Sequence, residues 1–256
     1  MAEWSSITGG TPFRGAIGGT RLSWAGLVLT LSALSLLGCQ APGTGPNVEG
    51  VKQFQQGQPQ AAVYQFQQAL AQNPRNPDAY YNLGAAYHYQ AKQSKDRAML
   101  SQAETLYNQC LDISPDHVAC HRALAVLLVD TNRPQNAFTL LERWSTVNPR
   151  SADARIELAR LHEEFGEHDA ARRSLSEAID ADPSNSRAWA AMARLRESDG
   201  DYAQALQNYR QAYALNAYQP GVADRITQLQ QRMAQQVPAN GTAPLMVETP
   251  RGWTQR

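Results

Sequence analysis

Cysteine is scarce: Cys39, Cys110 and Cys120 are the three in 256 residues, too few for a disulfide-dense scaffold and spaced unlike a zinc site. An excess of one charge is also missing. Lys plus Arg number 23 and Asp plus Glu number 23, so no basic footprint for nucleic acid is present. Phenylalanine occurs 5 times only, while Ala and Gln abound, a composition suited to helices packed closely through small side chains. No phosphate loop, nucleophile elbow or metalloprotease motif occurs, so neither an enzyme nor a cofactor is expected. The densest group of candidate ligands, His117, Cys120 and His121, lacks a fourth member at usable spacing, and no metal site is expected there.

One apolar run stands out. Leu22 to Leu37, LSWAGLVLTLSALSLL, is uncharged over 16 residues, follows Arg14 and Arg21, and ends at Gly38-Cys39. A basic start, an apolar middle of this length and a small residue at the end describe a secretory signal peptide over residues 1–38. The run Leu36-Leu37-Gly38-Cys39 resembles the bacterial lipobox. That resemblance implies a diacylglycerated Cys39 thiol, cleavage before it, and an acylated new amino terminus. Several acyl chains hold a protein stably on a membrane where one would not. Gln40 in place of Asp resembles the outer-membrane sorting signal of bacteria that use that rule. The alternative is a plain transmembrane anchor ending near Gly38, although a span needs about 20 apolar residues. Residues 39–47 are rich in Pro and Gly and read as a flexible tether.

From residue 48 the chain repeats itself. Ala152 to Asn185 holds two helical patterns joined at Gly166 and closed by Asp182-Pro183, with Leu158, Ala159 and His162 on one face of the first and Ala171, Leu175 and Ala178 on one face of the second. Gly50 to Gly84, Pro115 to Pro149 and Pro149 to Pro183 are each separated by 34 residues. A fixed period with one helical hairpin per unit resembles the tetratricopeptide repeat (TPR) family, and Tyr80-Tyr81-Asn82-Leu83-Gly84 with Tyr87 is similar to its first-helix signature. The resemblance implies an all-α, TPR-type α-solenoid of about five helical hairpins over residues 48–219.

Two units depart from the pattern. Pro74 to Pro115 is 41 residues, so the second repeat carries seven extra residues near 91–100, in longer helices or a protruding turn. The fifth has Ala217 where the closing proline belongs. Val222, Ile226, Leu229 and Met233 then form an apolar stripe on a capping helix over 220–236, which would cover the last open face of the array. Residues 237–256 lose periodicity and read as a disordered tail.

Cys110 and Cys120 flank Pro115 near the ends of adjacent antiparallel helices. Two readings stand for them: a disulfide, permitted in an exported compartment, or two small buried residues. His121 and His162 occupy positions held by Tyr80 and Tyr87 and read as packing residues. The TPR resemblance further implies a concave groove lined by first helices. The groove positions include Phe54, Tyr81, His88, Arg122, Arg160, Glu163, Arg187 and Arg194. The four arginines suit a carboxylate or acidic side chains, unless Glu163 and Glu197, each three residues after an arginine, neutralise them.

The expected function is therefore a lipid-anchored scaffold or adaptor of the bacterial cell envelope, facing the periplasm from the outer membrane. Its partners would be protein or peptide segments, with no nucleic acid. Resemblance to envelope TPR lipoproteins makes assembly of complexes such as pilus and secretin one expected role. A self-associating structural protein and a non-catalytic subunit of an envelope enzyme are the alternatives.

Overall fold

The computed structural model describes residues 45–236, so Cys39, the signal segment and the tail from 237 lie outside the described residues. Eleven helices and no strand occur among the described residues. They are α1 (Pro46–Gln55), α2 (Pro59–Gln72), α3 (Pro77–Ser94), α4 (Arg97–Ile113), α5 (Val118–Asp130) and α6 (Pro134–Val147), followed by α7 (Ala152–Glu164), α8 (His168–Ala181), α9 (Ser186–Ser198), α10 (Tyr202–Leu215) and α11 (Val222–Gln236). None of the described helices is long and apolar enough to cross a membrane. The chain divides into two compact units, one ending at Leu106 and the other starting at Tyr107, where sequence alone suggests one array. The boundary falls inside α4.

Local chemistry explains where the helices begin. Asn76 accepts from Ala79 N, Ser151 from Ala154 N, Asn185 from Arg187 N and Ala188 N, and Asp201 from Gln204 N. Each cap satisfies a donor that has no partner inside its helix, worth about 1 kcal/mol. Pro46, Pro59, Pro77 and Pro134 stand at helix starts, where a missing N–H costs nothing. The hairpin turn needs one left-handed residue, supplied by Gly166 at φ 73° in the fourth repeat and by Asn132 at φ 59° in the third. Asparagine tolerates that conformation better than other side chains.

The first unit packs α1 on α2 and α2 on α3. Ala62, Phe66, Leu83 and Ala86 form its buried centre, with Val51, Phe54 and Leu106 against them. Gly50 is needed there, because a Cβ would meet the Phe66 ring at 2.5 Å. The seven extra residues of the second repeat lengthen its helices. α3 has 18 residues and α4 has 17, against 13 in α7 and 14 in α8, while the turn is one residue shorter. The longer-helix alternative holds, and no protruding turn forms.

In the second unit each helix packs on the next from α5 to α11, and the first helices also touch: α5 on α7, α7 on α9. Ala159, Ala171, Ala178 and Ala188 are fully buried and bring helix axes together, while Ile156, Leu175, Met192 and Leu195 fill the space between. A fully buried leucine such as Leu175 contributes about 2 kcal/mol through lost apolar exposure. The end of the fifth repeat shows why its missing proline does no harm. Asn73 Oδ1 accepts from Arg75 N at 3.1 Å, Asp182 Oδ1 from Ser184 N at 3.0 Å, and Asn216 Oδ1 from Tyr218 N at 3.0 Å. The side-chain turn closes the repeat, with or without a proline after it. On α11, Val222 and Leu229 are buried, with Ile226 and Met233 packed beside Tyr209, Trp189 and Tyr202.

Candidate functional site

The first helices of the second unit, α5, α7 and α9, present their polar residues on one face, and a buried carboxylate organises it. Glu157, on α7, has a side chain only 2% exposed. Arg122 of α5 grips it with two guanidinium nitrogens, Nε at 2.8 Å and Nη2 in a shorter contact. From α9, Arg187 donates Nη2 to the same carboxylate at 3.0 Å and Nη1 to Asp153 Oδ1 at 2.5 Å. One carboxylate thus ties three successive first helices together. A buried charge is tolerated only when paired and hydrogen-bonded, and here it is both.

This network changes the status of the four arginines. Arg122 and Arg187 are already neutralised by Glu157 and Asp153, acids that spacing within a single helix does not bring into view. Arg160 and Arg194 make no hydrogen bond and no ion pair among the described residues. Solvent reaches the Arg160 side chain, yet the surrounding protein desolvates its guanidinium and Arg122 repels it, which together hold its pKa below the usual arginine value. Glu163 lies within coulombic range of both guanidinia; burial raises its pKa while Arg194 and Arg160 oppose the shift. The expected neutralisation of Arg194 by Glu197 does not occur. Glu197 instead accepts the Tyr209 hydroxyl at 3.0 Å and lies 3.6 Å from Arg225 Nη1, because α11 brings a competing cation to it.

The remaining expected groove residues belong to the first unit. His88 is 2% exposed and is no surface residue. α3 continues six residues beyond it, with Ala91 buried a turn later, so the buried side of the lengthened helix runs on through this position. Phe54 is half-buried, packed against the first unit's core and edge-on to Tyr89 with centroids 5.4 Å apart. Tyr81 is half-exposed on α3.

Cys110 and Cys120 are joined by a disulfide, both residues fully buried, with Cα atoms 6.5 Å apart. His117 lies close to the two sulfurs, but bonded sulfurs are not metal ligands, and its Nδ1 accepts from Cys120 N at 3.2 Å as a helix cap. His121 stacks on Trp144 with centroids 4.0 Å apart, and its Nε2 pairs with the Pro115 carbonyl at 2.8 Å. Its Nδ1 is buried without a partner, and burial lowers its pKa. His162 packs on Phe138 and pairs with Glu167 at 2.6 Å. Both histidines fill space between helices.

Stacked helical hairpins with an open polar face define a helical-repeat interaction scaffold. Tetratricopeptide repeat family models match residues 132–195 and 186–219, and a TPR repeat model matches 52–90. The chain is a tetratricopeptide-repeat protein. It is similar to the PEX5-related protein of Mus musculus, 26% identical over 102 residues, which is 40% of this chain and 17% of that protein. The peroxisomal targeting signal receptor of Pichia angusta is 31% identical over 83 residues, covering 32% of this chain and 13% of the receptor. The matched part is thus less than a fifth of either relative. Among solved structures, a thermophilic TPR protein of Thermus thermophilus has the same fold, with TM-score 0.54, 23% identity, and 73% of this chain and 97% of that one covered. MamA of Desulfovibrio magneticus gives TM-score 0.42 at 16% identity, covering 69% and 96%.

Proposed function

We propose that the protein is a lipid-anchored scaffold of the bacterial cell envelope that holds protein segments on the face formed by α5, α7 and α9. The observation that carries the binding reading is the unequal use of its cations. Arg122 and Arg187 are spent on Glu157 and Asp153, whereas Arg160 and Arg194 have no paired acid among the described residues. A partner with acidic groups would supply what the fold leaves out. The anchor rests on the lipobox-like run ending at Cys39; the structure shortens the expected tether, because α1 already begins at Pro46, and the stretch between Cys39 and α1 would give the repeats reach from an outer-membrane surface. Holding a segment of an envelope complex during its assembly, as in pilus or secretin biogenesis, fits an anchored adaptor without catalytic groups.

Two measurements test the two halves. Photo-crosslinking from position 163, within coulombic range of both arginines, should capture a partner in envelope preparations, and adding Arg160→Glu should abolish that capture; capture that survives charge reversal would remove the electrostatic basis. Metabolic labelling with a palmitate analogue should mark the wild type and leave Cys39→Ala unlabelled. Equal labelling and equal membrane fractionation of the two would rule out the anchor.

A further inference from the structure

The turn between α4 and α5 gathers three donors that suit a soft metal. Cys110 Sγ, Cys120 Sγ and a ring nitrogen of His117 all lie within 4.8 Å of one another. The backbone sets their spacing: Ser114 N donates to Cys110 O at 2.8 Å, His117 N to Ser114 O at 3.1 Å, and Cys120 N to His117 O at 3.0 Å. Each of the three residues is thus tied to the next through the turn itself. Both cysteines are fully buried, while His117 is half-buried and is the member that reaches solvent. His121, which the sequence groups with His117 and Cys120, is drawn away onto Trp144 and the Pro115 carbonyl. Cys110 stands in its place.

We propose that Cys110, His117 and Cys120 bind one divalent cation of the zinc class when the Cys110–Cys120 bridge is open, so that bridge and metal are alternative occupants of one turn. Two sulfurs on a tetrahedral zinc stand about 3.8 Å apart, and a sulfur and an imidazole nitrogen about 3.5 Å, from Zn–S and Zn–N bonds of about 2.3 and 2.0 Å. These separations fall inside the 4.8 Å that the turn already sets. Charge selects the metal. Two thiolates and a neutral imidazole are balanced by a divalent cation, whereas monovalent copper would leave a net negative charge in a buried place. The imidazole has one lone pair, which now accepts from Cys120 N at 3.2 Å, and the metal takes it in exchange for that cap. Three protein donors leave the fourth tetrahedral position to water on the His117 side. Opening consumes a dithiol: the S–S bond breaks, each sulfur gains a proton, and the dithiol leaves as a disulfide. Zinc then displaces the two thiol protons. In reverse, a disulfide oxidant takes two electrons from the zinc-bound thiolates and departs as two thiolates, and the rebuilt bridge expels the metal. The metal content of the turn therefore follows the thiol–disulfide balance around it, whatever the face of α5, α7 and α9 holds.

The test uses the full-length chain in detergent, before and after reduction with a phosphine, titrated with zinc against a chromophoric chelator. Reduced protein should take up one zinc per chain and release about two protons with it. Bridged protein should take up none, and oxidised glutathione should expel the metal from the reduced form. Cobalt in place of zinc should show thiolate-to-cobalt charge transfer and the strong visible bands of a tetrahedral site. His117→Gln keeps both cysteines and should weaken zinc binding by about a hundredfold or more, beyond the loss usual for a group that only supports a ligand. Cys110→Ser with Cys120→Ser should abolish uptake. That pair is buried, so if its helical signal is lost the decision passes to His117→Gln, whose position is half-buried. Reduced wild-type protein that takes up no zinc would overturn the proposal. Uptake that is equal in bridged and reduced protein, or that either variant leaves at the wild-type level, would overturn it as well.

Discussion

Replacing Glu157 with glutamine removes one charge from the point where three repeats meet. The glutamine keeps the shape but offers one weaker acceptor and turns an NH2 group toward donors. Arg122 loses a two-pronged partner, and Arg187 loses one of its two. Charge-assisted hydrogen bonds are worth about 1.5–3 kcal/mol each, so losing two would cost about 3–6 kcal/mol if all groups stayed dry. They do not stay dry. The Arg122 side chain is 31% exposed and that of Arg187 is 40% exposed, and Asp153 still holds the latter, so water and a remaining acid recover part of the loss. The expected cost is about 2–3 kcal/mol, a fall of about 5–10 °C in Tm for a domain of this size. Urea unfolding followed by helical circular dichroism and by fluorescence of Trp144 and Trp189 would measure it. Because the carboxylate couples neighbouring repeats, the transition should also broaden and its m-value fall. A double-mutant cycle with Arg122→Gln should return a coupling of about 1–2 kcal/mol. A loss below about 0.5 kcal/mol, or strict additivity with Arg122→Gln, would show that the triad is a surface pair of little consequence, and the argument for it would fail.

Three further outcomes follow from the same packing. His121 has a pKa held below its ordinary 6.5 by burial, so the unfolded chain takes up its proton first; stability should fall as pH drops from about 6.5 toward the folded value, and His121→Phe should flatten that slope between about pH 7.5 and pH 5 in melts run side by side. An identical slope in both proteins would exclude His121 as its source. The Cys110–Cys120 bridge spans a sequence separation of 10, so Cys110→Ser with Cys120→Ser should cost about 3 kcal/mol by loop entropy, and alkylation mapped to Cys110 or Cys120 in unreduced protein would refute the bridge. Gly50→Ala should destabilise the first unit by about 1–3 kcal/mol in urea, since its new methyl would stand 2.5 Å from a buried Phe66 ring and overpacking outweighs the helix-propensity gain; a stabilised variant would mean the ring moves aside freely.

How far the sequence reaches is set by the range of the forces involved. Helix starts, hairpin turns and small-residue seams are decided by neighbours within a few positions, and Asn76, Gly166 and Ala171 announce themselves in order along the chain. The paired state of a charge is decided across repeats. Glu157 meets Arg122 at a separation of 35 and Arg187 at 30, beyond any spacing rule within one helix, so three-residue neighbours assign the acids to the wrong arginines. A signal is nevertheless present. Position 157 lies one period after Ala123 and one before Ala191, and a carboxylate in a column of alanines has to be burying its charge against something. One repeat away the arginines within about a turn of that column are Arg122 on one side and Arg187 and Arg194 on the other, and the carboxylate takes Arg122 and Arg187. His88 departs from its expected place for a related reason: inserted residues lengthen α3, and register rules taken from a 34-residue unit do not say which side of a longer helix its neighbours will cover. In this chain, then, the polar residue that breaks a small apolar column marks where neighbouring units are tied together.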